Sequence, residues 1–313
     1  MIIKLQTMNN VDKRNGNVKY NDAEHVYWDD DGNYISVTTL IGRYCQPFDK
    51  EFWSSYKALE KLLSKEDFKM EKKMLIDTKK VHLKYYMDMY NITEADFNKA
   101  KQDILDEWQK ENIASCERGT KIHAELEKAV LGNKETDLKR YGFGGKFVVN
   151  TNESLEKNNN SLLDIERGVF PEFLVYRKSD DGILKVAGQI DLLVKDGNDI
   201  SLIDYKSNKK LEEKSYYNPT LKKYVMMKYP LSNLMDCNMM HYTMQLSTYA
   251  WMIQKLNSKF NIKLLKIIHF DHQGNIKEYE LNYLKKEVER MLKDYKKTVI
   301  LDKRKNARKP IEF

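Results

Sequence analysis

The order of patterns along the chain predicts an α/β protein with a helical extension near its amino terminus, and three observations carry that prediction. Extended apolar runs follow one another between residues 172 and 205, divided by short turn signals. Residues 50 to 112 are dense in Lys, Glu, Leu, Met and Tyr and contain no proline or glycine, which is the composition of helices. From His241 onward a further strand pair lies between two amphipathic helical segments.

Near the amino terminus, Val26-Tyr27-Trp28 and Tyr34-Ile35-Ser36-Val37 flank the turn signal Asp29-Asp30-Asp31-Gly32-Asn33, so His25 to Leu40 reads as a hairpin with a helix after it. Several helices are expected between residues 50 and 112, where Phe97, Ile104, Leu105 and Trp108 recur at helical spacing and leave the opposite face charged. A separate helix is expected from Asn112 to Val130, ended by Gly132. Its apolar stripe is Ile122, Leu126, Ala129 and Val130, with His123 beside it. Gly142-Phe143-Gly144-Gly145 and the run Glu156 to Asn160 mark residues 141 to 163 as turns and loop.

The runs Glu172 to Tyr176, Val186 to Val194 and Ser201 to Tyr205 predict an antiparallel meander, turning at Asp180-Asp181-Gly182 and Asp196-Gly197-Asn198. His241 to Leu256 predicts a helix with Leu246, Ala250, Ile253 and Leu256 inward. A hairpin follows, Lys266 to Phe270 with Ile276 to Leu281 around Gln273-Gly274-Asn275. The last helix is expected to be capped by Asn282 and striped by Leu284, Val288, Met291, Leu292 and Tyr295. No internal repeat is present.

Apolar residues make up 41% and charged residues 32% of the 313, enough for a real core beneath a heavily solvated surface. The net charge of +7 favours polyanionic partners without identifying one, and the stretch Lys303 to Lys309 adds a basic segment. Met1 to Asn10 lacks the apolar stretch of a secretory signal, and no later run is long enough to span a bilayer. No membrane partner is expected, and the cytosol is the default location. Cys45, Cys116 and Cys237 form none of the paired spacings that hold zinc or an iron-sulfur cluster, and ordinary reduced thiols are expected.

Two carboxylates and a lysine stand out. Hydrolysis of a phosphodiester needs a cation to neutralise phosphoryl charge and acidify a water, and hard cations of that kind take carboxylate oxygens. Asp191 ends the run Gly188-Gln189-Ile190-Asp191, Asp204 sits near the end of the next strand, and a hairpin can set them side by side. Asp204 and Lys206 are two apart, so on a strand they share a face while Tyr205 points away. Lys206 can then orient a metal-bound water or stabilise developing charge, and its acidic neighbours should keep it protonated. Taken alone, Asp-x-Lys is also what an amphipathic edge strand produces.

Gly188 to Asp191, Asp204-Tyr205-Lys206 and Gln245-Leu246-Ser247-Thr248-Tyr249 follow in order. With the helical His123 of Arg118-Gly119-Thr120-Lys121-Ile122-His123, this order resembles the RecB-like branch of PD-(D/E)XK nucleases over roughly Ser115 to Tyr249. That branch includes bacteriophage and mitochondrial single-strand exonucleases and the nuclease domains of recombination helicases. The resemblance implies Asp191 and Asp204 as metal ligands, the Tyr205 carbonyl as a further ligand and Lys206 as the catalytic lysine. It implies a ligand role for His123, an outer-ligand or water-positioning role for Glu172 in Pro171-Glu172, and Gln245 and Tyr249 facing the site or the DNA backbone. The run Tyr34 to Thr39 also looks like the opening of this branch.

What the resemblance implies is a restriction-endonuclease-like core with a mixed central sheet flanked by helices, Mg2+ or Mn2+ as cofactor, and DNA with a single-stranded end as substrate; some members carry four cysteines for an iron-sulfur cluster, and their spacing is missing here, so no cluster is expected. Replication or recombination partners are left unnamed. The expected division is residues 1–112, hairpin and helical extension, and 113–313, nuclease core with an insertion at about 208–238. Tyr216, Tyr217, Tyr224 and Tyr229 among the lysines of that insertion suit stacking on unpaired bases, or simple packing. The helices of 50–112 read as a lid over a single strand or as a solvated face. A structure-specific or defence endonuclease using the same residues, and a nucleic-acid binding protein without catalysis, are the alternative functions.

Overall fold

The computed structural model describes residues 5–7, 18–21, 24–132, 138–219 and 221–307. The strands are β1 (Leu5–Thr7), β2 (Lys19–Asn21), β3 (Val26–Asp29), β4 (Gly32–Ser36), β5 (Arg167–Lys178), β6 (Lys185–Asp196), β7 (Asp199–Lys206), β8 (Tyr217–Asn218), β9 (Lys223–Tyr224), β10 (Asn261–Phe270) and β11 (Ile276–Glu280). The helices are α1 (Val37–Gly42), α2 (Lys50–Leu62), α3 (Lys65–Thr78), α4 (Leu83–Tyr90), α5 (Glu94–Gly132), α6 (Asn152–Lys157), α7 (Asn238–Leu256) and α8 (Lys285–Ala307). The chain divides into two compact units, one of residues 1–45, 121–217 and 224–313, the other of 46–120 and 218–223.

The larger unit is built on a mixed sheet flanked by helices, the architecture of a restriction-endonuclease-like core. Strand β5 pairs antiparallel with β6 along its whole length, β6 pairs antiparallel with β7, and β7 pairs parallel with β10. β10 then forms the expected hairpin with β11. The amino-terminal hairpin joins this sheet directly, because β4 pairs parallel with β6 at Ile35↔Val186 and Ser36↔Ala187. One core, including Leu193, Leu202, Leu246, Tyr249, Ala250, Val288 and Met291, packs α1, α7 and α8 against the sheet. A second, with Tyr141, Phe147, Leu192, Ile203, Tyr205 and Ile268, takes Leu126 and Val130 of α5 as partners.

The hairpin is pinned by a buried ion pair. Asp29 accepts from Lys185 at 2.5 Å and from Lys178 at 3.0 Å, and the Tyr34 hydroxyl adds a bond at 2.9 Å. Burial alone would raise the Asp29 pKa, but these donors overcome it and hold the carboxyl near 2.

The smaller unit is helical. Phe52, Tyr56, Leu59, Phe68, Leu75, Tyr86, Phe97 and Ile104 form its core, and buried Glu71 accepts hydrogen bonds from the hydroxyls of Tyr85, Tyr86 and Tyr90.

Three expectations are corrected here. Residues 94 to 132 form one helix, so no break occurs at Asn112. Gly119 carries only a propensity cost of about 1 kcal/mol, too little to interrupt a helix with no proline. Residues 152–157 are helical where loop was expected, because Thr151 caps the Ser154 N–H. The last helix begins at Lys285, and the Leu284 N–H, bonded by the Ser247 hydroxyl, stands where Asn282 was expected to cap.

Candidate active site

The site lies where the sheet forks. On one edge of β6, β4 pairs with Val186 and Ala187, while β7 pairs from Leu192 onward. Among the described residues, no strand therefore pairs with residues 188–191 of β6 on that edge. The β6–β7 register, continued one step beyond Leu192↔Ile203, sets Asp191 opposite Asp204, and β7 carries on past it paired, among the described residues, to β10 alone. In an antiparallel ladder a residue turns both backbone groups toward one neighbour, and for Tyr205 that neighbour has been lost.

Side chains replace it. The Asp191 carboxylate accepts the Tyr205 N–H at 2.6 Å, and the Tyr205 carbonyl lies 3.1 Å from His123 Nε2 on α5. A carbonyl only accepts, so Nε2 carries the hydrogen and Nδ1 is left with its lone pair for a neutral ring. Nδ1 lies 3.7 Å from Asp191 Oδ2. A second hydrogen bond that fixes the tautomer in this way is how ligating histidines are oriented.

Glu172 faces Asp191 from β5. Its φ of +48° is a strained conformation for a non-glycine residue in a strand, and the ladder skips it between Pro171↔Leu192 and Phe173↔Ile190. Its carbonyl is anchored by Asn152 Nδ2 at 2.7 Å and Gln189 Nε2 at 3.4 Å. Ligand atoms of His123, Glu172 and Asp191 all lie within 4.8 Å of one another. One imidazole nitrogen and two carboxylates at that spacing fit a single divalent cation.

Asp204 faces Lys206 on the shared side of β7. It is 1% exposed, and its Oδ2 lies 2.6 Å from the Lys206 ammonium. Its Oδ1 accepts from Gln245 Nε2 at 3.3 Å, and the same nitrogen donates to the Tyr249 hydroxyl at 3.3 Å. Lys206 also lies 4.6 Å from the centre of the Tyr242 ring, a contact the sequence reading missed. Burial alone would lower the lysine pKa, but Asp204 and Asp191 outweigh it, so the ammonium stays charged. Burial and the charge of Asp204 raise the Asp191 pKa, against His123 and Lys206, which lower it.

Gly188 and Tyr249 interlock. A Cβ at Gly188 would meet Tyr249 Cε1 at 2.5 Å and its hydroxyl at 2.9 Å. The glycine that opens the run ending in Asp191 is thus space for the tyrosine that Gln245 holds, which gives two separated motifs one physical reason. Gly188→Ala is expected to move the ring, loosen Gln245 from Asp204 and slow cleavage about 10- to 100-fold with substrate binding little changed. Steady-state kinetics beside a melting curve checks this, since an unchanged rate would separate Tyr249 from the site.

Among the described residues, no helix is long and apolar enough to cross a membrane. The family model of the PD-(D/E)XK nuclease superfamily matches residues 83–312. No curated protein matches the chain. A solved structure described as "Crystal structure of SSO0001" is similar at 15% identity over 73% of this chain and 72% of that one, with a TM-score of 0.33. On the family match, the chain belongs to the PD-(D/E)XK nuclease superfamily and is a metal-dependent nuclease, a phosphodiester hydrolase of DNA.

Proposed function

We propose that the chain is a Mg2+- or Mn2+-dependent exonuclease that hydrolyses phosphodiesters from single-stranded DNA ends. The observation that carries the catalytic part is the convergence of His123, Glu172 and Asp191 beside the charged pair Asp204–Lys206. Asp191, Glu172 and His123 would hold the cation, with Asp204 adjoining and the second lone pair of the Tyr205 carbonyl as a further donor. When bound, the cation supplies polarisation of a phosphoryl oxygen and a water acidic enough to attack at neutral pH.

The protein's own groups do the rest. Lys206 presents a fixed positive charge where negative charge develops on the phosphate. Gln245 holds Asp204 in place, and Tyr249 holds Gln245. His123 keeps the Tyr205 carbonyl and Asp191 in register.

The single-strand preference rests on the resemblance and on the segment after Lys206. There Tyr216, Tyr217 and Tyr229 are exposed, Tyr229 at 77%, among Lys209, Lys210, Lys214, Lys222, Lys223 and Lys228. Aromatic faces alternating with cations take stacked, unpaired bases. Linear end-labelled single strands should be degraded to short products with Mg2+ or Mn2+, and circular single strands of the same sequence should survive. Equal cleavage of the circle would make the enzyme an endonuclease with the same site.

A further inference from the structure

A second group of ligand atoms lies on the larger unit, in contact with α7. Cys45 follows α1, Asp236 lies two residues before α7, and His241 sits in the first turn of α7. The Cys45 thiol lies 3.3 Å from His241 Nε2, Asp236 Oδ1 lies 2.5 Å from the same nitrogen, and the three ligand atoms lie within 4.8 Å of one another. The Asp236 side chain is 8% exposed and the His241 side chain 29%. Successive members are 191 and 5 positions apart in sequence, so only the fold assembles them.

Their geometry is wrong for a proton relay. A relay passes a proton through a histidine from one ring nitrogen to the other, with the thiol on one side and the carboxylate on the opposite side. Here sulfur and carboxylate converge on one nitrogen. A single N–H reaches one of them at a time, and the thiol's own hydrogen has the Ile41 carbonyl at 3.5 Å as an acceptor, whereas a cation can bind all three ligand atoms at once. We propose that Cys45, Asp236 and His241 form a second metal site, one that takes Zn2+ or a similar borderline-soft divalent ion and leaves a fourth position for water.

The donor set selects the metal. Thiolate, imidazole and carboxylate suit Zn2+ and Co2+, while Mg2+ prefers oxygen throughout. Burial, with the charge of Asp236, pushes the Cys45 thiol up to about 12, so the metal-free thiol is protonated and unreactive. A bound cation reverses both influences, and coordination releases the thiol proton to solvent. Lys228 is the cation facing this cluster, and its ammonium is held by the Arg43 carbonyl at 3.2 Å. Bound metal would tie the end of α1 to the start of α7, one turn before Gln245. Binding itself does not depend on the nuclease reading.

Cobalt tests the proposal, because a thiolate bound to Co2+ gives a charge-transfer band in the near ultraviolet and the His123, Glu172 and Asp191 group contains no sulfur. The full chain, stripped with chelator and titrated with Co2+ under reducing conditions, should show the band saturating at one equivalent and vanishing when Zn2+ is added. Cys45→Ser should lack the band although Cys116 and Cys237 remain, and His241→Ala should weaken Zn2+ binding at least about tenfold. No band in the wild-type protein, or a band that survives Cys45→Ser, overturns the proposal. If Cys45→Ser does not fold, Cys45→Ala takes its place in the same titration, and a band that survives it overturns the proposal.

Discussion

Asp191→Asn is expected to stop cleavage and, without divalent cations, to raise the melting temperature at neutral pH. Burial and the nearby charge of Asp204 raise the Asp191 pKa in the folded protein. The metal-free native state then binds more protons than the unfolded chain between pH about 4 and about 6, and by linkage its stability falls as pH rises through that window. Above it the penalty persists in full. An asparagine removes it, while its amide oxygen can still accept the Tyr205 N–H now held at 2.6 Å.

The gain is on the order of 1–3 kcal/mol, a rise of a few degrees for a chain of this size. Melting curves in chelator at pH 7.5 and pH 4 check it, because the advantage of the variant should shrink at the lower pH. Mg2+ or Mn2+ should stabilise the wild-type protein in the same sense and leave the variant unmoved. A variant that melts lower than wild type at neutral pH in chelator would show that the carboxylate is not under this strain.

Lys206→Met is expected to slow the chemical step about 10²- to 10³-fold while leaving Mn2+ binding in place. The ammonium is charged, largely buried and 2.6 Å from Asp204, so it is a preorganised positive group in surroundings that strengthen its field. Methionine keeps much of the stem packing beside Tyr242 and removes only the charge. It also leaves Asp204 buried without its partner, which destabilises the metal-free protein by about 3–5 kcal/mol. Single-turnover rates at saturating Mn2+ separate the two effects, since a folded variant with full rate would remove Lys206 from the chemistry.

Much of the site was legible because its motifs are local. Asp204 and Lys206 share a strand face by the two-residue period, and Gln245 and Tyr249 share a helix face four residues apart, so spacing alone grouped each pair. The meander of β5, β6 and β7 was legible from apolar runs between turn residues, and its register set the carboxylates opposite one another. What was hidden depends on contacts between distant segments. Nothing in the run around Gly188 announces that Tyr249, 61 residues later, occupies the place of its missing side chain. The capture of the Tyr205 carbonyl by His123, the contact of Lys206 with the Tyr242 ring and the pairing of β4 with β6 are of the same kind. The continuity of α5 was missed for another reason. The end of the Lys-, Glu- and Met-rich composition near Asn112 was read as a boundary, although no proline stands there and Gly119 carries only a small helix penalty.

The claim beneath these expectations is that Asp191, Glu172 and His123 share one divalent cation. Calorimetric titration of Mn2+ into chelator-stripped protein at neutral pH measures it directly, in wild type, Asp191→Asn and Glu172→Gln. The account predicts saturable binding in the wild type that weakens at least about tenfold in each variant. Undiminished Mn2+ binding in both variants would contradict it.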